Sequence, residues 1–549
     1  QAARNLAGRD GPVGGQKQNH LARGEGRNFG AQVEGCRTGK ETGRAQKIPA
    51  EKETDQVNFL RSATAVLFLL FATNWAHARP NVMLIVCDDL NTHVSTSGYP
   101  YIKTPHLDRL AKESLIFNRA YCQYPVCGPS RASFLSGLYP ESTGVLNNKV
   151  DIRETRPGTS SLPQFMKENG YWTGGVGKVF HTVRHEPGDL GWNEYHRFEN
   201  DEFPFVIAER KRFEAKNGSI ERGKTRRQWK EKLSSLFTQT RGQQTPGYGP
   251  SGLNDSQHRD GRNARKVVEW LDKKSYGDKP FFITVGIHKP HVPFIAPQKY
   301  FDLYPKRDLQ FELSPSNDWN DIPRMAMVKR FSGFGFELGR ENDPLRREYT
   351  QAYHACISFV DAQIGLILGK LKAQKLWEDT IVIFTSDHGY HLGEHFMWGK
   401  VTLFEECARV PLIVRVPGVS PVGSSSEGLV ETIDLFPTLA ELCDLAAPAD
   451  LQGQSYAGLI RKPDGPGKPS AYTVVSRGDQ LGRSIRTIRW RYAEWGEAKA
   501  AELYDLEKDP REYTNLVRSP EHRAVVNRMK DTLANRHRQA ELARNVTGK

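Results

Sequence analysis

Cysteine and methionine are scarce in this chain, with seven and six among 549 residues. Seven thiols are too few for a disulfide-framed scaffold, and no Cys-x-x-Cys pair occurs. The amino-terminal half has no long hydrophobic run. Its most continuous apolar stretch, Ser62 to Thr73, is well short of the ~20 residues a membrane span needs. Internal repeats are missing, as is any low-complexity tract after residue 60. No zinc knuckle, RNP-like pattern or heptad-plus-basic region occurs, which argues against a nucleic-acid partner despite a formal charge of +13. That charge suits solubility, or attraction to another polyanion.

The composition that remains, 38% hydrophobic and 26% charged, is that of a globular protein with a sizeable core. Residues 1–56 are rich in Gly, Gln and charge; we expect them to be disordered, or to be untranslated sequence upstream of a start near Val57. Residues 57–78 have the layout of a signal peptide: Arg61, the apolar run, then Ala76-His77-Ala78 as cleavage site. Export to the periplasm or beyond the cell, with no stable membrane span, is the expectation.

From Pro80 strand and helix alternate. Asn81–Cys87, Phe281–Gly286, Thr380–Thr385 and Pro411–Val416 are near-continuous apolar runs, as in strands buried on both faces. Helical periodicity marks His106–Ser114, Ser161–Asn169, Asn263–Asp272, Arg347–Lys372 and Thr432–Cys443. This rhythm predicts an α/β fold with a large mostly parallel sheet between helix layers, over residues 79–450. Ligands in such folds bind at the carboxyl ends of the strands. Residues 200–260 break the rhythm with a basic insertion, Glu209–Lys232, carrying Phe213 and Trp229. It reads as a solvated helix or as a rim for an anionic substrate. Residues 451–549 read as a smaller α+β subdomain, with short strand-like stretches at Ala471–Arg477 and Ser484–Trp495 and a polar helix after Pro520.

Acids and bases cluster just after the strand-like runs. Asp88-Asp89 follows the first, His288-Lys289-Pro290-His291 the second, and Ser386-Asp387-His388-Gly389 the third. Gly177-Lys178-Val179-Phe180-His181 follows a turn-rich segment, and Trp398-Gly399-Lys400 lies beyond Asp387. Each alone reads as a cap, a solvated turn, a surface Lys or a core His. Adjacent carboxylates repel and need a cation or a proton between them. Oxygen-rich sets of this kind suit a hard divalent cation. Cys127 opens Cys127-Gly128-Pro129-Ser130-Arg131, and Phe134-Leu135-Ser136-Gly137 follows. Alone, Cys127 reads as a small buried hydrophobe, a disulfide partner of Cys122, or a thiolate activated by Arg131.

The string from Cys127 to Gly137 resembles the signature of the sulfatases, a family in which a dedicated enzyme oxidises this cysteine to formylglycine. Val176–His181, His288–Phe294 and Thr385–Gly389 are similar to strings of the iduronate-2-sulfatase subgroup and its bacterial relatives. Glu502-Leu503-Tyr504-Asp505 resembles a string near sulfatase carboxy termini. The resemblance spans residues 80–516 and implies an alkaline-phosphatase-like fold. It implies a metal site of Asp88, Asp89, the modified Cys127, Asp387 and His388, holding calcium, although His388 is an unusual calcium partner. It implies Arg131, Lys178 and Lys400 as countercharges for the sulfuryl group. His291 is then the acid for the leaving oxygen, and His181 the base that releases sulfate from residue 127. The expected substrate is a sulfated carbohydrate, and the expected partner a formylglycine-generating enzyme acting on Cys127. A phosphomonoester or phosphonate hydrolase of the same superfamily, and a secreted glycan-binding protein without catalysis, are the alternatives. Tyr390 and the 200–260 insertion depart from the iduronate-type pattern, and both are expected at the sugar-binding rim.

Overall fold

The computed structural model describes residues 79–181, 191–198, 203–221, 223–238, 247–310, 313–328, 343–496 and 500–542. The segments at 1–56 and 57–78 lie outside them, and the described residues fall in one compact unit.

Eight strands make the main sheet: β1 (Asn81–Asp88), β2 (Leu115–Tyr121), β3 (Trp172–Gly177), β4 (Glu194–His196), β5 (Phe281–Pro290), β6 (Thr380–Ser386), β7 (Arg409–Arg415) and β8 (Ser424–Glu431). Their spatial order is β8-β2-β7-β6-β1-β5-β3-β4. All neighbours run parallel except β7, which is antiparallel to both β2 and β6. The strands follow the apolar runs because those runs are inaccessible to water on both faces. Along β1, Met83, Ile85 and Cys87 pack into one core, and Val82, Leu84 and Val86 into the opposite one.

Helices α1 (Pro105–Ala111), α2 (Cys127–Ser136), α3 (Leu162–Glu168), α4 (Arg259–Lys273), α5 (Asp343–Ala373) and α6 (Leu435–Leu442) cover these faces. Val267 and Trp270 of α4 join Tyr353 and Phe359 of α5 on one side. Phe134, Phe165 and Phe436 of α2, α3 and α6 fill the other. Helix α5 is long and apolar enough to cross a bilayer, but its most apolar stretch is 78% buried in the core.

The turn-rich reading before Lys178 was an error of local composition, since Trp172–Gly177 is strand β3. A Cβ at Gly174 would lie 2.6 Å from the Trp172 ring, and one at Gly175 2.5 Å from Tyr195. Neighbouring aromatics therefore occupy the space of the missing side chains. The single stretch Ser484–Trp495 splits into two strands around a turn. The carboxy-terminal sheet is antiparallel: β9 (Ala471–Arg477), β10 (Gln480–Arg486), β11 (Trp490–Trp495) and β12 (Ala500–Asp505). Its buried residues Tyr472, Ile485, Tyr492 and Leu503 share a third core with Met529 and Leu533 of α7 (Arg523–Leu542) and with Tyr139 and Phe404. Within the basic insertion the helices Pro204–Asn217 and Gly223–Thr238 form, and the Phe213 and Trp229 rings meet at 5.4 Å. The interleaved aromatics thus pack on each other rather than presenting a stacking face.

Candidate active site

Register brings the acids together. Asp88 pairs across β1–β5 with Pro290, and Cys87 across β1–β6 with Ser386. The ends of the three central strands therefore lie level, and the residues just beyond them converge at one edge. Strand β3 joins the same edge because Gly177 and Gly286 allow close approach. A Cβ at Gly177, whose φ is +71°, would lie 2.1 Å from the Gly286 carbonyl. Instead the Lys178 N–H donates to that carbonyl at 2.8 Å and aims the lysine inward.

Cys127 is the first residue of α2, fully buried, with its thiol toward the strand ends. Its Sγ lies 3.0 Å from Lys400 Nζ, 3.3 Å from His388 Nε2 and 3.9 Å from Asp89 Oδ1. The disulfide alternative is excluded, as Cys122 and Cys127 are both free. Burial alone would raise the Cys127 thiol, yet Lys178, Lys400 and His388, with a hydrogen bond from His181, hold it well below its ordinary range. A helix amino terminus favours a negative group in the same way. The Gly128 N–H at this terminus donates to Asn148 Oδ1 at 2.8 Å.

The carboxylates are spaced by cations. Asp88 is paired with Lys178 and lies 3.9 Å from Arg131. Burial and the Cys127 charge push its carboxyl up, but Lys178, His291 and Arg131 outweigh them and hold it below the usual range. Asp89 sits at φ +65°, a left-handed conformation uncommon outside glycine. Its carbonyl accepts from Tyr353 Oη at 2.6 Å, its N–H donates to Asp387 at 3.2 Å, and its carboxylate meets Lys400 at 2.5 Å. The surrounding bonds hold this strained residue in place, as strained residues at functional sites require.

Asp387 accepts from Arg131 Nε at 2.9 Å and from the His388 N–H at 3.0 Å. Burial raises its carboxyl to about 6 against the pull of Arg131 and His388. His388 is pushed up to about 9, because Asp387 and Cys127 outweigh the effect of burial. His291 reaches in from the loop after β5, with Nε2 3.9 Å from Asp89 and a partly exposed ring. Every predicted site residue is thus at this edge. Arg131 is turned inward: Nη1 donates to the Lys178 and Val179 carbonyls, and Nη2 faces the Cys87 carbonyl and Asp88. Its N–H groups bind protein, so it positions Asp387 and its neighbours.

Sequence reading passed over two residues here. Asp260 of α4 accepts the N–H groups of His288 and Lys289, each at 2.8 Å, and so fixes the loop that presents His291. Neither spacing nor motif marks it. Tyr353 is the other, hidden in the apolar periodicity of α5. Tyr390, expected at the rim, is 2% exposed and packs against Tyr353 and Phe294. It belongs to the core because the chain after Gly389 turns back under the sheet edge, where its N–H donates to the Glu406 carbonyl at 2.7 Å.

Asp88 Oδ1 and Asp89 Oδ2 are buried without a hydrogen-bond partner. Donor atoms of Asp88, Asp89, Cys127 and His388 lie within 4.8 Å of one another, with Asp387 beside them. Unpartnered buried carboxylate oxygens are costly, and a divalent cation satisfies them. The donor set fits such an ion.

Fold and site together define a hydrolase of anionic esters built on an alkaline-phosphatase-like sheet. The sulfatase family model matches residues 80–445, and one for the carboxy-terminal region of N-sulphoglucosamine sulphohydrolase matches residues 393–539. The chain belongs to the sulfatase family. It is 31% identical to a sulfatase of Formosa agariphila over 83% of this chain and 86% of that protein. It is 29% identical to the iduronate 2-sulfatase of Mus musculus, over 82% and 93% of the two chains. Among solved structures it resembles the phosphonate monoester hydrolase of Agrobacterium radiobacter, at TM-score 0.68 and 23% identity over 84% and 96%. A 2-O GAG sulfatase aligns at TM-score 0.63 and 23% identity over 84% and 93%.

Proposed function

We propose that the chain removes a sulfate ester from a sulfated carbohydrate, a 2-O-sulfated uronate of the iduronate type, at the edge formed around residue 127. The observation that carries this reading is the convergence on Cys127 of Lys178, Lys400, His388 and His181. The iduronate part rests on likeness to the mouse enzyme over nearly its whole length. Oxidised to formylglycine and hydrated, residue 127 would supply a hydroxyl nucleophile at this spot. A divalent ion held by Asp88, Asp89, residue 127, Asp387 and His388, calcium by family resemblance, would supply Lewis acidity there.

The chain's own side chains do the rest. Lys178 and Lys400 offset negative charge on the sulfuryl oxygens. Arg131 keeps Asp387 ionised and oriented. His291, with an accessible ring and Nδ1 2.7 Å from the Val292 carbonyl, presents Nε2 to the leaving oxygen as its proton donor. His181, whose Nδ1 has no partner, takes a proton from residue 127 to complete the cycle. The proposal includes export after cleavage at Ala78, to the periplasm or the extracellular space, and conversion of Cys127 by a formylglycine-generating enzyme.

The test is release of inorganic sulfate from defined oligosaccharides by matured protein, with an aryl phosphate and an aryl phosphonate as comparators. Faster turnover of a terminal 2-O-sulfated iduronate than of either comparator is expected. Phosphonate turnover without sulfate release would overturn the reading.

A further inference from the structure

We propose that His395, Glu406 and Glu512 form a second divalent-metal site, suited to zinc, which ties the loop carrying Lys400 to the carboxy-terminal segment. One donor atom from each lies within 4.8 Å of the other two. The site is separate from the cluster at Cys127 and none of the catalytic roles above uses it.

His395 is fully buried. Its backbone takes a left-handed φ of +54°. Its N–H donates to Ser314 Oγ at 2.8 Å and its carbonyl accepts from Trp319 Nε1. The ring lies against Phe404, with centroids 4.3 Å apart. These contacts fix where both ring nitrogens point. Nδ1 is 3.0 Å from Asp318 Oδ2, so Nδ1 carries the proton and donates it. Nε2 is the ring nitrogen left over, and it is buried with no partner.

A carboxylate on one imidazole nitrogen with the other free is the arrangement that orients metal-binding histidines. Glu406 Oε2, facing the same space, is also buried without a partner. Glu512 is held by Arg491 Nε, and it accepts the Glu405 N–H at 2.9 Å. Arg511 Nη1 lies 3.8 Å from the other Glu406 oxygen, Oε1.

One imidazole and two carboxylates suit zinc better than calcium, which prefers an all-oxygen set. Zinc bonds of ~2.0–2.2 Å place ligand atoms about 3.4 Å apart, so the three groups need draw in by only about 1 Å.

The experiment uses the full-length protein dialysed against micromolar zinc, with bound metal counted by plasma mass spectrometry. The wild type should retain zinc that His395→Gln and Glu406→Gln each lose by one equivalent, while both variants keep the ion at Asp88 and Asp89. Anomalous diffraction at the zinc edge on wild-type crystals needs no variant and covers the case in which a variant fails to fold. A peak about 2 Å from His395 Nε2 is expected. A peak at the Asp88–Asp89 cluster alone, or a zinc count unchanged in both variants, would overturn the proposal.

Discussion

Two buried charge clusters in this molecule invite comparison. One surrounds Cys127. The other lies between the main sheet and the carboxy-terminal sheet, where Glu431 and Asp434 meet Lys468, Arg536 and Tyr139. In the second, every carboxylate oxygen has a partner. Glu431 accepts from Lys468, from Arg536 at 2.7 Å, from Tyr139 at 2.8 Å and from the Tyr472 N–H at 2.8 Å. Asp434 accepts from Lys468, from the Gln454 N–H at 2.7 Å and from the Glu431 N–H at 2.8 Å. In the first, Asp88 and Asp89 each keep a bare oxygen, and Asp89 is strained. A saturated network rigidifies a fold, whereas an unsaturated one keeps coordination free for an ion or substrate.

The comparison predicts opposite phenotypes. Cys127→Ala should abolish sulfate release, a loss of ~10⁴-fold or more, with the melting temperature nearly unchanged; initial rates beside a thermal scan check this. His291→Ala should lower kcat by ~10²–10⁴-fold, and less for substrates with a good leaving group, because only proton donation is lost.

Lys468→Met should do the reverse, costing about 3–5 kcal/mol of stability while folded protein keeps its turnover, since it strands Glu431 and Asp434 without their shared cation. Denaturant titration measures it. The pH dependence has a definite sign. Burial raises the Glu431 carboxyl, but Lys468 and Arg536 outweigh it and hold it below the usual range. A depressed carboxyl stabilises the fold above its unfolded pKa and loses that contribution as pH falls through the folded one. The stability gap between wild type and Lys468→Met should therefore be widest near neutrality and narrow in acid.

The smallest effect belongs to the surface. Exposed charge pairs contribute about 0–1 kcal/mol, so Arg226→Ala with Arg227→Ala should raise KM for a polyanionic substrate no more than roughly fivefold, and not at all in high salt.

Much of the cluster around Cys127 was legible in the sequence, because strand ends are marked by apolar runs and the acids and bases follow them directly. Asp88, Asp387 and His291 could be placed at one sheet edge on that ground. Asp260 and Tyr353 could not, since both act across the fold from helices whose periodicity speaks only of packing. The saturated cluster was invisible for the same reason. Glu431, Lys468 and Arg536 are far apart in the chain and meet only when the two sheets dock. Gly174 and Gly175 misled in the other direction, for only the docked Trp172 and Tyr195 rings show why a strand carries them.

The central claim is that the unsaturated edge works only with a modified residue 127. Its most direct test is the mass of the peptide bearing residue 127, measured across preparations that differ in sulfate-releasing activity. Activity should rise in proportion to the fraction carrying formylglycine and vanish where the thiol is intact. Full activity in a preparation whose residue 127 is wholly unmodified cysteine would contradict the account.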